Sequence, residues 1–521
     1  MAHLPAFAAN NEAVGQTIQE FFDSGLLEVG NQKDDERLVQ IFSFYESRNF
    51  KPMWTRNSGP KFKAKDMLAA LKSADEHGLD PKDYDIEGIQ SRMDAEHPET
   101  LAELELIISD SFSQYAHHLS AGRVKPSAVN SAIKLYPQAP APLSLINGAE
   151  AADSVAAYIE KIKPQTPRYD RLKEGLARYR KIASEGGWPL LPDGPTLKPG
   201  MEDARIPTLR KMLVVMGDLD AGSAGQGTLY DDALVTGVKR FQERHGRDQD
   251  GVIGPSTIKA MQIPVEKRVE QMVINLERRR WMEDDFGDYY IFVNLADQNL
   301  KVVQKKGGRE KTIHVTRVVV GKPYHSTPVF SKDMRYVVFN PYWNVPTSIA
   351  NKEYLPKLRQ NPGALNGQKI RLLASSGAQV DPYSVDWRSV SRVPYRLRQD
   401  SGPGNALGQI KFMFPNKFNI YIHDTPSKSL FAKEIRYFSH GCIRVQNPDE
   451  LADVLLRRQG WSKSSVDAQI GSMQRRIVNL KKRIPVHISY LTSWVNKDGS
   501  IHFRRDVYGR DKKLAKFMLR K

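Results

Sequence analysis

The stretch YIHDTPSKSLFAKEIRYFSHGCIRVQNPDE, Tyr421 to Glu450, restricts the fold and the chemistry of the chain more than any other. The apolar pattern leading into it predicts a strand that ends at His423. Cys442 follows nineteen residues later, inside a turn that opens with Ser439. A helix is predicted to begin near Asn447-Pro448, since proline is favoured in the first turn of a helix. If this strand lies beside the turn, the imidazole of His423 can contact the thiol of Cys442.

The residue types in this stretch suit acyl transfer from an amide. A thiol such as Cys442 becomes a nucleophile near neutral pH when a neighbour takes its proton, and His423 is the candidate base. Gly441 allows a tight turn, after which the amides of residues 441 and 442 can face a developing oxyanion. A lone cysteine is more often an inert buried side chain. The nearby histidines, His423 and His440, favour catalysis.

Period-two patterns around this stretch predict a β-rich domain over residues 287–495. A hairpin is predicted at 290–303, and further strands at 312–315, 317–320, 336–339, 408–414, 419–423 and 484–490. Residues 341–408 interrupt the pattern with a short helix near 348–360 and turns rich in Gly, Pro and Arg. So long an irregular segment is unusual unless it covers a site, which predicts an inserted lid.

Upstream of the β-rich domain the apolar spacing is helical. Residues 11–190 read as a helical scaffold, followed by turn formers and a compact three-helix unit at 195–264, whose third helix Ser256 is predicted to cap. An amphipathic helix within 265–285 allows that segment to rejoin the scaffold. With a basic C-terminal tail at 496–521, the fold class is multidomain α+β.

Composition restricts the partners and the cofactors of the 521-residue chain. Lys and Arg outnumber Asp and Glu by 77 to 60, and the net charge of +17 favours an anionic partner: nucleic acid, a membrane surface or a polyanionic wall. No DNA-reading motif is seen, so nucleic acid is not expected. One cysteine excludes an intrachain disulfide and a cysteine-based metal site. The adjacent His117 and His118 point to different faces of a helix, which argues against a metal pair.

The N-terminus and the apolar runs bear on location. No stretch approaches the roughly 18–20 apolar residues of a membrane span. The first residues lack the charged and apolar regions of a signal peptide, although Ala6-Phe7-Ala8 has the small-x-small form of a cleavage site. One interpretation is that a signal or membrane anchor once preceded this sequence.

Two segments resemble known families. The run VKRFQERHGRDQDGVIGPSTIKAM, from Val238 to Met261, resembles a peptidoglycan-binding module of the three-helix kind. The motif Ser439-His440-Gly441-Cys442-Ile443-Arg444, with His423 before it and Asn447 after it, resembles the L,D-transpeptidase (YkuD-type) family. The stretches 340–349 and 402–414 resemble the larger Gram-negative members, which carry a capping subdomain. Together the resemblances cover nearly the whole chain.

This resemblance implies a mechanism and a set of catalytic residues. Cys442 attacks the carbonyl between the L- and D-centres of a tetrapeptide stem and expels D-alanine, with His423 as base and then acid. The backbone carbonyl of Asp424 orients His423, and His440 and Gly441 shape the oxyanion site. A diaminopimelate amine then attacks the thioester and forms a 3→3 cross-link.

The resemblance also implies the substrate site, the inhibitors and the compartment. Arg444 is implied either to order its loop or to bind a substrate carboxylate. Tyr421 and Trp343 are implied to line the donor pocket under the lid. The substrate-binding positions are Arg444, Tyr421, Trp343, Asn447 and Ser439. No metal or organic cofactor is implied, carbapenems would acylate the thiol, and the expected compartment is the periplasm or cell envelope of a Gram-negative bacterium.

Three alternatives remain open at this point. The same acyl-enzyme could be used for hydrolysis or for attaching a protein to the wall. A sortase-like or papain-like enzyme is disfavoured, because the candidate base precedes Cys442 closely. A non-enzymatic wall-binding protein is compatible with the charge alone.

Overall fold

Helices with apolar stripes dominate the described residues up to residue 285. The computed structural model describes residues 9–24, 32–223, 225 and 227–519, and Ala6-Phe7-Ala8 lies outside these ranges. The helices of this part are α1 (Ala9–Asp23), α2 (Gln32–Glu46), α3 (Phe62–Lys72), α4 (Ile86–Ser91), α5 (Pro98–Ala121), α6 (Pro126–Val129), α7 (Pro142–Ala151), α8 (Val155–Ile162), α9 (Pro167–Ser184), α10 (Ile206–Met216), α11 (Asp232–Arg244), α12 (Pro255–Met261) and α13 (Val265–Arg280). A short strand pair, β1 (Thr55–Arg56) and β2 (Gly59–Pro60), interrupts them.

The long helix α5 organises the core of the first eight helices. Pro98 occupies its first turn, and Gly122 follows its end with a positive φ of 93°. Its buried side chains include Leu104, Ile108 and Phe112, which join a core shared with α2, α3, α7 and α8. This arrangement confirms the prediction of a helical scaffold.

The three-helix unit consists of α10, α11 and α12, as the sequence predicts. The expectation that Ser256 caps the third helix is wrong, because Pro255 holds the first helical position and Gly254 the N-cap position, without a side-chain cap. Helix α13 packs along α9, so residues 265–285 lie with the helical elements, the arrangement that the sequence allowed.

The final residues of the chain are folded. Strands β16 (Ser493–Val495) and β17 (Ile501–Phe503) form a hairpin and helix α18 (Arg510–Met518) follows, all in one structural unit with residues 9–131 and 135–285. The hairpin packs on α9, and α18 packs on α13. The segment 496–521 is therefore more than a basic tail within the part that the structure describes.

A second unit, residues 132–134 and 286–491, contains a nine-stranded sheet. Its strands are β3 (Tyr289–Asn294), β4 (Asn299–Lys306), β5 (Arg309–Gly321), β6 (Phe330–Phe339), β11 (Ile410–Met413), β12 (Ile422–His423), β13 (Tyr437–Ser439), β14 (Ile443–Val445) and β15 (Arg476–Ser489). The order is β13-β5-β14-β12-β11-β6-β15-β3-β4, and β4 also pairs with β5, which closes the sheet on itself.

The helices and strand lengths of this unit refine the predictions. Helices α16 (Pro448–Leu456) and α17 (Lys463–Gly471) follow the strand after the cysteine, and the first begins where Asn447-Pro448 predicts. The separate strands predicted at 312–315 and 317–320 are one strand, β5, because residues 309–317 pair with β4, with one register shift near residue 313, and residues 318–319 pair with β14.

Residues 341–408 form a cap with its own sheet and core. Strands β7 (Trp343–Asn344), β8 (Ile370–Leu373), β9 (Gln379–Val380) and β10 (Arg396–Gln399) pair in the order β7-β10-β8-β9. Helices α14 (Thr347–Ile349) and α15 (Leu355–Gln360) flank a π-helical turn at residues 350–354. The sequence predicts the short helix and the insertion but not the sheet, whose strands are two to four residues long.

Candidate active site

The register between β12 and β14 positions the imidazole and the thiol. These two strands are parallel, with Ile422 opposite Ile443 and His423 opposite Arg444. The N–H of Ile443 donates to the carbonyl of Tyr421 at 3.0 Å, so Cys442 is level with Tyr421. Side chains alternate along a strand, so Tyr421, His423, Cys442 and Arg444 share one face. The α-carbons of His423 and Cys442 are then roughly 8 Å apart by sheet geometry.

A network of hydrogen bonds fixes the turn that holds the sulfur. The Ser439 hydroxyl donates to the Cys442 carbonyl at 2.6 Å and accepts from the Gly441 N–H at 3.1 Å. Thr327 donates to the Gly441 carbonyl at 2.8 Å. Gly441 has a φ of 114°, which other residues rarely adopt. The Gly441 amide is thus used within the turn, and the Cys442 N–H is the backbone donor left for an oxyanion.

The backbone after His423 fixes its tautomer. The Nδ1–H of the buried ring donates to the Asp424 carbonyl, which leaves Nε2 as the proton acceptor. The Asp424 carboxylate accepts from the Gln409 N–H at 2.9 Å and pairs with Lys428. Gly408 fits closely beside it, since a Cβ there would lie 2.2 Å from Asp424 Oδ2. Asp424 therefore orients the ring through its carbonyl, while its carboxylate anchors the segment.

The surroundings of His423 and Cys442 shift the pKa of each toward its neutral form. Burial lowers the pKa of His423 to about 3, and the charges of Arg444 and Lys411 act in the same direction. Burial raises the pKa of Cys442, while hydrogen bonds from Tyr421 and the charges of Lys411 and Arg444 oppose that rise. The sulfur lies 3.6 Å from the Asn419 carbonyl, which accepts its S–H. A neutral thiol on the same sheet face as a neutral imidazole fits proton transfer during attack better than a preformed ion pair.

Lys411 is a site residue that the sequence reasoning missed. It lies on β11 directly opposite His423, and its ammonium is 3.8 Å from the centre of the Tyr421 ring. Burial lowers its pKa, and the neighbouring Cys442 opposes that shift. The signal in the sequence was a lysine between the apolar Ile410 and Phe412 of a predicted strand, where alternation turns it to the face that Tyr421 and His423 occupy.

The aromatic candidates fall in different surroundings. The Tyr421 ring lies 5.5 Å from that of His423 and packs against the apolar core of the cap. Trp343 belongs to that core, where its ring contacts Tyr354 at 6.3 Å. The register sets Tyr421 level with Cys442. Trp343 instead belongs to the core of the cap.

Arg444 and Asn447 lie on the strand and turn after the cysteine. The Nε of the half-buried Arg444 has no hydrogen-bond partner among the described residues, and burial lowers the pKa of its guanidinium. Asn447 stands at the N-cap position of α16 without a side-chain cap bond. Arg444 therefore places a cation with one unpartnered donor on the face that carries Cys442.

His440 contacts the cap. Its Nε2 lies 2.8 Å from Oε1 of Glu353, in the π-helical turn, and its ring is 5.2 Å from that of His325. The role of His440 in shaping the oxyanion site stays a prediction, and this contact links the turn that holds Cys442 to the cap. The histidine-rich stretches show no metal cluster: within residues 9–24, 32–223, 225 and 227–519, no three His, Cys, Asp or Glu side chains could hold an ion together.

No helix within the described residues has both the length and the apolar character that a membrane span requires.

Three family models match the chain. The one described as "Scaffold domain" matches residues 39–176, and the one described as "Putative peptidoglycan binding domain" matches residues 202–261. The YkuD model, "L,D-transpeptidase catalytic domain", matches residues 288–479. These matches confirm the fold class: a helical N-terminal region, a peptidoglycan-binding domain and a β-rich C-terminal domain.

Similar proteins were found among curated sequences and solved structures. A Haemophilus influenzae protein named "Putative L,D-transpeptidase" is 34% identical over 258 residues, which are 49% of this chain and 51% of that protein. The chain therefore spans about half the length of the curated relative that it matches. The structure of Bdellovibrio bacteriovorus Bd1075 is 16% identical, with a TM-score of 0.18, over 44% of this chain and 56% of that chain. A fused zinc-dependent amidase/peptidase with a peptidoglycan-binding domain from Clostridium acetobutylicum is 10% identical, with a TM-score of 0.16, over 57% of this chain and 100% of that one.

Proposed function

Because the chain carries an L,D-transpeptidase catalytic domain and a peptidoglycan-binding domain, we propose that it cross-links peptidoglycan through a thioester on Cys442. The observation that carries this proposal is the parallel register of β12 and β14, which sets His423 and Cys442 on one face of the sheet. The donor would be a tetrapeptide stem and the acceptor a diaminopimelate amine. The compartment that fits these substrates is the periplasm of a Gram-negative cell.

In the acylation step the sulfur of Cys442 forms a bond to the carbonyl carbon that precedes the terminal D-alanine. The thiol proton passes to Nε2 of His423 as the S–C bond forms, which suits a pair that is neutral at rest. The Cys442 N–H is the nearest backbone donor for the oxyanion. Collapse of the intermediate breaks the C–N bond, and His423 returns the proton to the departing amine of D-alanine.

In the second step the acceptor amine attacks the thioester. His423 takes a proton from the amine as the new C–N bond forms, and the C–S bond breaks. The proton then goes to the sulfur, so that the thiol is regenerated and no net proton is consumed. With a diaminopimelate side-chain amine the product is a 3→3 cross-link, and with water the same step is hydrolysis.

Arg444 is proposed to hold a stem carboxylate. Its guanidinium shares the face of Cys442, and its charge is not neutralised by any described carboxylate within 4.0 Å. Arginine binds carboxylates with paired, charge-assisted hydrogen bonds. Tyr421, Ser439, Asn447 and Trp343 remain candidates for the donor pocket, and carbapenems, which resemble an acylating donor, remain candidate inhibitors.

Lys411 is proposed to favour the thiolate that forms during attack, and a substitution tests this. In Lys411→Met, iodoacetamide should alkylate Cys442 at a given rate only at a pH roughly one unit higher than in wild type. The reason is that an opposite charge near a titrating group lowers or raises its pKa by about 1–3 units, and this variant removes the cation that favours the thiolate. The measurement is the alkylation rate by intact mass from pH 6 to pH 10.

Two further variants separate charge from packing in this test. Lys411→Arg keeps the cation and should stay near the wild-type profile. Lys417→Met removes an exposed lysine from the turn after β11 and should change nothing. Superimposable profiles for wild type and Lys411→Met would show that Lys411 does not act on the thiol.

Product analysis tests the proposed function against its rivals. The wild-type protein is incubated with disaccharide-tetrapeptide muropeptides, and the products are weighed. We expect loss of D-alanine and a dimer linked between two diaminopimelate residues. A tripeptide without dimer would favour hydrolysis, and a muropeptide joined to an added acceptor protein would favour wall attachment. Binding to sacculi without any product or adduct on Cys442 would leave only a wall-binding role.

A further inference from the structure

Two arginines lie against one exposed tyrosine where the nine-stranded sheet leads into the cap. The guanidinium of Arg398, on β10, is 4.7 Å from the centre of the Tyr342 ring, and that of Arg475 is 5.8 Å from it. Tyr342 is 40% exposed. We propose that Arg475, with Arg398 beside it, binds a carboxylate of the acceptor stem and so determines which acceptors the enzyme uses. The proposal rests on the proposed function and names a specificity determinant for its second step.

The strand register places Arg475 on the sheet face that carries the thiol. Lys411 is opposite Val338 on β6, and Val338 is opposite Ile477 on β15. Directly opposite residues share a face, and residues two apart along a strand share it as well. Arg475 directly precedes β15 and is two residues before Ile477, so it continues this row. Lys411 in turn is opposite His423, so the row leads to the catalytic face.

Two observations agree with this placement of Arg475. The side-chain amide of Asn340, directly after β6, donates to the carbonyls of Gln469 and Gln474 at 3.0 and 3.2 Å, which holds the turn that leads into Arg475. Burial is the main cause of the lowered pKa of Lys411, and the charge of Arg475 adds to it. The two cations are therefore near each other on one face.

Arg475 lacks a counter-charge. Among the residues that the structure describes, no carboxylate pairs with it, and its side chain is exposed. Arg398 shares the carboxylate of Asp400 with Arg371, at 3.4 and 2.5 Å, and its own Nε is buried without a hydrogen-bond partner in the described part of the chain. A guanidinium binds a carboxylate through paired, charge-assisted hydrogen bonds. A ligand carboxylate would therefore supply the charge that this cluster lacks.

Tyr342 positions the two guanidinium groups for such a ligand. An arginine that stacks on an aromatic ring keeps its planar N–H edge available for a carboxylate, and the contact restricts a flexible side chain before binding. Ile477, on the same face as Arg475, is 47% exposed and offers apolar surface to the methylene groups of a peptide. An acidic peptide is therefore the class of ligand that these residues fit.

The distance from the sulfur favours the acceptor over the donor. Cys442 directly precedes β14, and four strand steps, β14-β12-β11-β6-β15, lead from there to the strand that Arg475 precedes. At about 4.8 Å a step, this is roughly 19 Å across the sheet. The donor is bonded to the sulfur, and Arg444 on β14 is proposed for its carboxylate. The acceptor extends farther, because its diaminopimelate side chain separates the attacking amine from a stem whose three residues span about 10 Å.

Product partition tests the proposal. Full-length protein receives an isotopically labelled disaccharide-tetrapeptide donor and an excess of unlabelled disaccharide-tripeptide acceptor, and the labelled dimer and labelled tripeptide are weighed. Arg475→Gln should lower the ratio of dimer to tripeptide by about tenfold, because it loses a charge-assisted hydrogen bond to the acceptor.

The next residue supplies the matched control. Arg476 is also exposed, but it is opposite the buried Phe339 and lies over the Trp461 ring at 5.3 Å, on the other face of the sheet. Arg476→Gln removes the same charge and should keep the wild-type ratio. An unchanged ratio in Arg475→Gln, or an equal loss in both variants, would overturn the proposal.

Amidated acceptors identify the carboxylate that is bound. One tripeptide is amidated at the α-carboxylate of D-Glu and another at its C-terminal carboxylate. Wild type should use one of the two about tenfold less than the free acid, and Arg475→Gln should use that acceptor and the free acid equally. Equal use of all three acceptors by wild type, or the same preference in Arg475→Gln, would contradict the assignment.

Binding separates this inference from the proposed function. The affinity of Cys442→Ala for the tripeptide, measured by ligand-observed NMR, does not depend on acyl transfer. If wild type releases no D-alanine and Arg475→Gln in this background still weakens tripeptide binding by about tenfold, the transpeptidase proposal fails and the acceptor site stands. If D-alanine is released while neither tripeptide binding nor the dimer ratio depends on Arg475, only the acceptor site fails.

Discussion

Cys442→Ala is expected to lower the release of D-alanine from a tetrapeptide donor by about 10⁴-fold or more, because removal of the nucleophile from an acyl-transfer site typically costs about 10⁴–10⁶ in kcat. The chain has one cysteine, so no other thiol can replace it. The measurement is enzymatic determination of D-alanine, together with the intact mass of the protein. Wild type should gain the mass of the acyl group, and the variant should not.

His423→Gln is the companion variant for this prediction. Glutamine retains a donor toward the Asp424 carbonyl but cannot accept a proton, so both the adduct and the release of D-alanine should form slowly. Gln474→Ala, an exposed change in the same unit, is the control for general damage. D-alanine release by a folded Cys442→Ala protein at more than one hundredth of the wild-type rate would rule out the thioester route.

Glu277→Gln is expected to destabilise the helical unit by about 3–5 kcal/mol, the usual cost of leaving one partner of a buried ion pair uncompensated. Glu277 and Arg280, both on α13, are 0% exposed and pair at 3.0 Å. Glu277 also accepts from the Val124 N–H at 2.8 Å, and Arg280 donates to the Tyr169 hydroxyl at 3.1 Å on α9. The substitution keeps the shape of the side chain and removes its charge.

Hydrogen exchange of the full-length protein measures this effect locally. Peptides from residues 167–184 and 265–280 should lose protection, and those from the nine-stranded sheet should not. Glu266→Gln, at an exposed position near the start of the same helix, should cost less than about 0.5 kcal/mol. Replacing Glu277 and Arg280 together by Leu and Met should recover part of the loss, since no buried charge then remains. Unchanged protection in Glu277→Gln would show that the pair contributes little.

Local patterns predicted much of the architecture. Helical spacing indicated α10, α11 and α13, and the period-two pattern indicated the β3–β4 hairpin, each within a few residues. These segments are long and strongly periodic, so their local preference and their tertiary environment agree. The short strands of the cap have no such pattern, because two to four residues cannot establish a period and their pairing depends on residues far along the chain.

Some residues of the candidate site could be predicted from the sequence and others could not. Cys442 and His423 could be proposed from residue type and spacing, and the Asp424 carbonyl from the resemblance. For Lys411 the sequence carried only the signal of a lysine between two apolar strand residues, and the residue is recognised as part of the site only when the register sets it opposite His423. The hydrogen bond from the Gly441 N–H to the Ser439 hydroxyl could not be predicted from the sequence either, because it depends on the detailed path of the turn.

The sequence by itself determined which residues could react, where helices give way to strands, and that one thiol serves the whole chain. Tertiary structure decided which side chains face the thiol, what the pKa values of His423 and Cys442 become, and that Arg475 shares the sheet face of Lys411. The physical reason is that residue type and period are local properties, whereas burial, register and the field of distant charges arise only when remote segments come together.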